Sequence, residues 1–214
     1  MRSSPFVLCI DVGGPKNIGW ADSTRSSGSG LELEGALDRA AALLRYGQAV
    51  ALGFEAPIWT PRRAELMTIT GRRGGIETTY NRAWSAGAGT GALGAALALM
   101  PWTFSRLRKA GGDVTVTVDL ARFRDGGARL FVWEAFVSGI GKGASHHDDA
   151  LLAVDAFAAR WPDLVSDVPP EPALNHAVTA AMASGLLVDP GELAMPAIVV
   201  GVSPATLLDP ARSG

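Results

Sequence analysis

Residues 6–22 read Phe6-Val7-Leu8-Cys9-Ile10-Asp11-Val12-Gly13-Gly14-Pro15-Lys16-Asn17-Ile18-Gly19-Trp20-Ala21-Asp22. A run of β-formers ends on one carboxylate, turns through two glycines and a proline, and resumes as a second short apolar run. That order predicts a buried strand, a tight turn and a return strand. A carboxylate at the end of an apolar run is costly to bury unless a metal ion, a basic side chain or backbone donors compensate its charge. Asp11 therefore calls for a partner.

Outward from this hairpin, residues 23–30 are rich in Ser and Gly, and Leu31-Glu32-Leu33 alternates like a short edge strand. Residues 34–46 place Leu37, Ala40, Ala41, Leu43 and Leu44 at helical spacing and stop at Gly47, a natural left-handed C-terminal position. Residues 49–54 form a second fully apolar run that ends in Glu55-Ala56-Pro57. A second strand thus ends on a carboxylate, and Pro57 ends its pairing. Residues 58–86 show no sustained period and carry Arg62, Arg63, Arg72, Arg73 and Arg82 against Glu65 and Glu77. Connections of this length are usually functional or disordered.

Residues 88–109, rich in Ala and Leu, predict a helix bent near Pro101. Residues 113–119, with valines at 114, 116 and 118, and residues 129–137 predict strands. After a glycine-rich approach over 139–144, Ser145 is the candidate N-cap of a helix whose buried face carries Ala150, Ala153, Val154, Phe157 and Trp161, closed by Pro162. A linker over 169–172, a smaller helix over 173–184, a short strand over 197–200 and a loose tail beyond Pro204 complete the expectation.

A chain of 214 residues with ordinary composition suits one domain, with a core over about residues 5–161 and a C-terminal helix and strand over 170–202. The single cysteine, Cys9, sits inside the first apolar run and fits a reducing compartment. No stretch resembles a secretory leader or a membrane span, so a cytoplasmic protein without a membrane partner is expected. A net charge of −2 gives no global attraction to nucleic acid.

His146, Asp149, Ala150, Ala153 and Val154 share one helical stripe, so the first two continue, one turn earlier, the face that packs on the sheet. The helix dipole favours acidic residues at this end and accounts for one aspartate. It does not account for two histidines followed by two aspartates directed along the core stripe. A cation held by Asp11, Glu55, His146 and Asp149 compensates all these burial costs together. Oxygen-rich sites suit Mg²⁺ or Mn²⁺, and an imidazole tilts the preference towards Mn²⁺.

Asp11 on the first of three antiparallel strands, a helix, Glu55 closing the fourth strand and an acidic cluster opening a late helix together resemble the ribonuclease H-like nuclease fold. The motifs Phe54-Glu55-Ala56-Pro57 and Asp148-Asp149-Ala150-Leu151-Leu152-Ala153 carry the likeness. His146 and Asp149, three apart, are similar to the last motif of the RuvC resolvases. The run from Arg82 to Gly87 and the segment from Leu130 to Phe136 with Glu134 look closer to a bacterial family of uncharacterised, sequence-predicted ribonuclease H-like nucleases. The resemblance implies an α/β fold with a mixed five-stranded sheet, three antiparallel strands followed by parallel ones, flanked by helices. It implies that Asp11, Glu55 and Asp149 hold metal, with His146 a fourth ligand or a proton-handling group and Asp148 a ligand or a partner of the ligands. The implied chemistry is phosphodiester hydrolysis with two Mg²⁺ or Mn²⁺ ions on a nucleic acid substrate. Arg62, Arg63, Arg72, Arg73 and Lys16 are then the candidates for substrate contact, with Arg106, Arg108 and Lys109 as further rim cations. Resolvases are dimeric, so a homodimer is the corresponding expectation, although no interface signature marks the sequence.

Two other readings compete. Asp11-Val12-Gly13-Gly14-Pro15-Lys16 also resembles the first phosphate motif of actin-like sugar kinases, but Pro15 stands where those have a hydroxyl residue and no second such motif follows. A ribonuclease H-like domain without catalysis, serving as a binding module, is the third.

Overall fold

The computed structural model describes residues 4–14 and 16–202. The opening stretch forms β1 (Phe6–Asp11) and β2 (Gly19–Asp22), paired antiparallel with Asp11 opposite Gly19. Between them Asn17 N donates to Gly14 O at 2.7 Å, closing the turn. The third strand, β3 (Ser27–Ser29), lies in the Ser/Gly-rich stretch and not in the alternating residues 31–33 expected to form it. Glu32 explains the shift. Its carboxylate accepts from Ser29 N at 2.8 Å and Ser29 Oγ at 3.1 Å, a capping arrangement that turns residues 30–32 into the entry of α1 (Leu33–Arg45).

The chain continues through β4 (Val50–Glu55), β5 (Trp59–Pro61), a single turn α2 (Ile76–Thr79), the long α3 (Ala88–Gly111) with Pro101 inside it, and β6 (Thr115–Thr117). Then come α4 (Leu120–Asp125), β7 (Leu130–Phe136) and α5 (His146–Arg160), the last with Ser145 as N-cap. The C-terminal part holds β8 (Ala173–Asn175), α6 (His176–Ala183), β9 (Leu187–Val188) and β10 (Val199–Gly201). The helix expected over 173–184 thus begins three residues later. Asn175 caps it by accepting from Val178 N at 3.0 Å, and the residues before the cap pair with β5 instead. The expected tail beyond Pro204 lies outside the described residues.

The main sheet runs β3-β2-β1-β4-β7-β6-β9, with β10 also on β7. It has eight strands, correcting the expectation of five. The additional strands come from short segments: β6 and β10 both pair with β7, and β9 extends the edge beyond β6. Strands β1, β4 and β7 are parallel neighbours, with Asp11 in register with Glu55 and Phe54 with Glu134.

Alternation along these strands sorts the sheet into two faces. Leu8, Ile10, Leu52, Phe54 and Val132 face one core, which α1, α3 and α6 cover with residues such as Leu37, Phe104 and Val178. Val7, Cys9, Ala51, Phe131 and Trp133 face the other, which α5 covers with Ala150, Ala153, Val154 and Phe157. Asp11 and Glu55 share the second parity and so stand on the α5 face, whereas Glu134 stands on the first. No described helix is long and apolar enough to cross a membrane.

Candidate metal centre

Across the carboxyl ends of the strands, Gly19, Asp11 and Glu55 form a row of in-register neighbours on the α5 face. The first turn of α5 lies directly on this row because Gly19 has no side chain. A Cβ there would stand 2.3 Å from His146 C and 2.4 Å from His147 N. This close approach, together with the apolar stripe of α5 on Trp133 and its neighbours, lowers Asp149 onto Asp11 and Glu55. One carboxylate oxygen from each of Asp11, Glu55 and Asp149 lies within 4.8 Å of the others.

The three carboxylates have unequal company. Asp11 Oδ2 lies 2.6 Å from Nδ1 of the half-exposed His146 ring, and because a carboxylate accepts, Nδ1 is the donor of this contact. Asp149 Oδ1 accepts from Gly143 N at 2.6 Å, and its Oδ2 lies 3.2 Å from Lys142 Nζ. Glu55 Oε2 is buried without a hydrogen-bond partner. Burial, reinforced by Asp11 and Asp149, pushes the Glu55 carboxyl well above its ordinary value. Asp11 is also raised, chiefly by burial and further by Asp149, with His146 and Lys142 opposing. Beneath them, burial and the two carboxylates push the Cys9 thiol up, so it stays protonated and inert.

This donor set fits a hard divalent cation: three carboxylates converge, and one buried oxygen among them has no donor. His146 sits on Asp11 and orients it, outside the three-carboxylate group. Asp148 does not join the group either. Its Oδ2 accepts from Ser145 Oγ at 2.7 Å and its Oδ1 lies 3.7 Å from His147 Nε2, so it belongs to the helix cap. Of the two expectations for Asp148, ligand or partner of the ligands, the structure places it outside the three-carboxylate group.

The loop arginines also divide. Arg73, expected at the substrate, is buried: its Nε meets Glu77, its Nη atoms meet both oxygens of Glu134 at 2.9 and 2.5 Å, and Nη1 also donates to Trp59 O. The guanidinium stands 4.5 Å from the Trp59 ring centroid. Arg63 is likewise committed, bidentate to Glu171 at 2.8 and 2.6 Å and donating to the carbonyls of Thr68, Gly71 and Arg72. A guanidinium has five N–H donors; Arg63 makes five side-chain hydrogen bonds within the protein, and Arg73 makes four, with its Nη2 also 2.8 Å from Glu77 Oε1. They hold the loop to the fold, so the structure does not place these two expected substrate contacts at the carboxylates. Arg62, Arg72 and Lys16 are exposed. Arg72 bonds the Asn81 side chain, and none of the three is paired with the carboxylate group.

Two cations stand next to the carboxylates: Lys142, which the expectation did not place at the substrate, and Arg82, one of the arginines of the long loop. Lys142 pairs with Asp149. Arg82 lines the same cleft as Glu55, anchored by Nη1 on Val137 O at 3.2 Å and Ser138 Oγ at 3.0 Å. The readable sign for Lys142 is its place as the sole charged residue of the glycine-rich approach to α5. No protein-family model, curated protein or solved structure matches the chain.

Proposed function

We propose that the chain is a metal-dependent nuclease of ribonuclease H-like architecture that hydrolyses phosphodiester bonds. The observation that carries this is the convergence of Asp11, Glu55 and Asp149 within 4.8 Å, from two parallel strand ends and a helix start. The strand order β3-β2-β1-β4-β7, antiparallel then parallel, supports the architectural part. The Gly13–Gly14 turn is tight, a Cβ on Gly13 meeting Asn17 O at 2.5 Å, and Pro15 in place of a hydroxyl residue speaks against the kinase reading.

Asp11, Glu55 and Asp149 would hold Mg²⁺ or Mn²⁺. Bound there, two such ions supply Lewis-acid stabilisation of phosphoryl oxygens and a more acidic water. The chain's own groups do the rest. His146 orients Asp11 through Nδ1–H and keeps Nε2 available to take up or return a proton near the scissile phosphate. Gly143 N fixes Asp149, and the α5 N-terminus adds a positive dipole end facing the anionic cluster.

Thermal unfolding with and without Mn²⁺ tests the centre. Mn²⁺ raises the melting temperature of the intact protein, and the double variant Asp11→Asn, Asp149→Asn loses the response. A panel of single strands, duplexes, RNA–DNA hybrids and branched junctions then identifies the nucleic acid, with Glu55→Gln abolishing cleavage. Absence of any Mn²⁺ effect on the intact protein refutes the centre, and cleavage at full rate by Glu55→Gln refutes the assignment.

A further inference from the structure

Lys142 is the only lysine or arginine paired with any of the three carboxylates among the described residues. Its Nζ lies 3.2 Å from Asp149 Oδ2 while its side chain remains 45% exposed, against 5% for Asp149. An ammonium in that position and a divalent cation on Asp149 compete for the same carboxylate, because both are positive and close together. A lysine carries three N–H donors on a flexible stem, and Asp149 engages the group from one side. Displaced from Asp149, it remains at the rim of the centre, on a chain segment whose other end is fixed by Arg82 through Ser138. Arg82 is the complementary cation. It shares a cleft with Glu55, and only its Nη1 has hydrogen-bond partners among the described residues, so Nε and Nη2 retain donor capacity.

We propose that Lys142 binds the substrate: when a divalent cation takes Asp149, its ammonium turns to a phosphodiester oxygen, with Arg82 flanking the same group from the Glu55 side. The inference rests on the nuclease reading above and specifies its substrate contact as one lysine and one arginine close to the carboxylates, Lys142 and Arg82, and not Arg63 or Arg73. It also gives the centre an order of events. Metal entry releases the cation that then receives the phosphate, so metal and substrate binding are coupled.

Lys142→Met keeps the apolar stem and removes the charge, and Lys142→Arg keeps the charge. Mn²⁺ binding is followed by electron paramagnetic resonance, and binding of dimethyl phosphate, a minimal phosphodiester, by Mn²⁺-induced relaxation of its ³¹P signal; melting temperatures confirm that both variants are folded. Expected are Mn²⁺ affinity roughly three- to tenfold tighter in Lys142→Met, from removal of a neighbouring like charge, dimethyl phosphate binding weakened about fivefold or more, and near-normal diester binding in Lys142→Arg. Weaker or unchanged Mn²⁺ binding in Lys142→Met identifies a merely structural ion pair and overturns the proposal, as does unchanged diester binding. An intact protein that binds no Mn²⁺ overturns the nuclease reading itself, and this proposal with it, whereas Mn²⁺ binding without the Lys142 effects removes only the proposal.

Discussion

Gly19→Ala is the sharpest perturbation of the whole arrangement, because it touches no candidate ligand and yet should dismantle the centre. The new methyl would lie 2.3 Å from His146 C, 2.4 Å from His147 N and 2.6 Å from His146 O, whereas ordinary contact begins at 3.4 Å. Those atoms are helix backbone and cannot rotate away, so the start of α5 has to retreat by about 1 Å. The rest of the helix is held by Ala150, Ala153, Val154 and Phe157 in the core, which confines the displacement to the first turn. Overpacking of this kind costs about 1–3 kcal/mol, and in a chain of this size each kcal/mol lowers the melting temperature by about 2–4 °C. A fall of roughly 2–12 °C is therefore expected. The effect on the centre is larger in proportion: Mg²⁺–oxygen distances are about 2.1 Å with little tolerance, so a displacement of about 1 Å removes Asp149 from joint ligation and lengthens the 2.6 Å contact from His146 to Asp11. Mn²⁺ affinity should drop by about tenfold or more, the scale on which loss of even an indirect partner of a metal ligand is felt. Gly14→Ala is the matched control, since its Cβ meets nothing within 4 Å. Thermal unfolding and Mn²⁺ titration by electron paramagnetic resonance read both effects. A Gly19→Ala protein with unchanged melting temperature and unchanged Mn²⁺ affinity refutes the reasoning that helix approach, not the carboxylates alone, builds the centre.

Glu55→Gln should raise the melting temperature of the chelator-treated protein by a few degrees, because it neutralises a buried carboxyl whose Oε2 has no donor, while it abolishes stabilisation by Mn²⁺. The pH dependence follows the same sign. Burial raises Glu55 and Asp11 above their ordinary values, so between the ordinary and the raised values the folded protein binds protons that the unfolded chain has released. Stability of the metal-free protein therefore falls as pH rises through that window, and Glu55→Gln should flatten the slope of melting temperature against pH. Arg73→Met removes the cation between Glu134 and Glu77 and should destabilise by about 3–5 kcal/mol. Urea unfolding would report that loss, and a change of less than 1 kcal/mol contradicts the view of this cluster as the clamp of the loop.

Asp11, Glu55 and Asp149 were legible because each breaks a local rule: a charge at the end of an apolar strand, or on the buried stripe of a helix. Ser145 as N-cap was legible for a similar reason, since capping chemistry is local in sequence. Glu32 offered the same kind of signal for the entry of α1, through its spacing from Ser29, and the alternation of residues 31–33 masked it. Strand β9 could not be seen, because two residues carry no period and its identity is fixed by the edge of β6, whereas β10 overlaps the short strand expected over 197–200. The fate of the loop arginines was hidden by distance along the chain. Arg63 finds Glu171, 108 residues away, and Arg73 finds Glu134, 61 residues away. Composition shows that such a loop is basic, and only the fold shows that two of its arginines, Arg63 and Arg73, are already neutralised.

Two groups of buried carboxylates, rooted on opposite faces of the sheet, look alike in sequence, and the difference between them lies in hydrogen-bond completeness. On one face Glu134 accepts from Arg73 and from Ile58 N at 3.1 Å, while Glu77 accepts from Arg73 through both its backbone and its side chain. Each charge there is met by fixed donors, and the group ties residues 57–77 to β7. On the other face Asp11, Glu55 and Asp149 have one imidazole, one amide and one exposed lysine among them, and a buried oxygen of Glu55 has none. A closed group of the first kind has nothing to gain from a further cation, whereas the second gains relief of mutual repulsion and of desolvation in a single step. The shortage of donors, more than the count of acidic residues, is what supports the proposal of a metal at Asp11, Glu55 and Asp149. It also accounts for a lysine held there by charge alone, on a side chain free enough to leave.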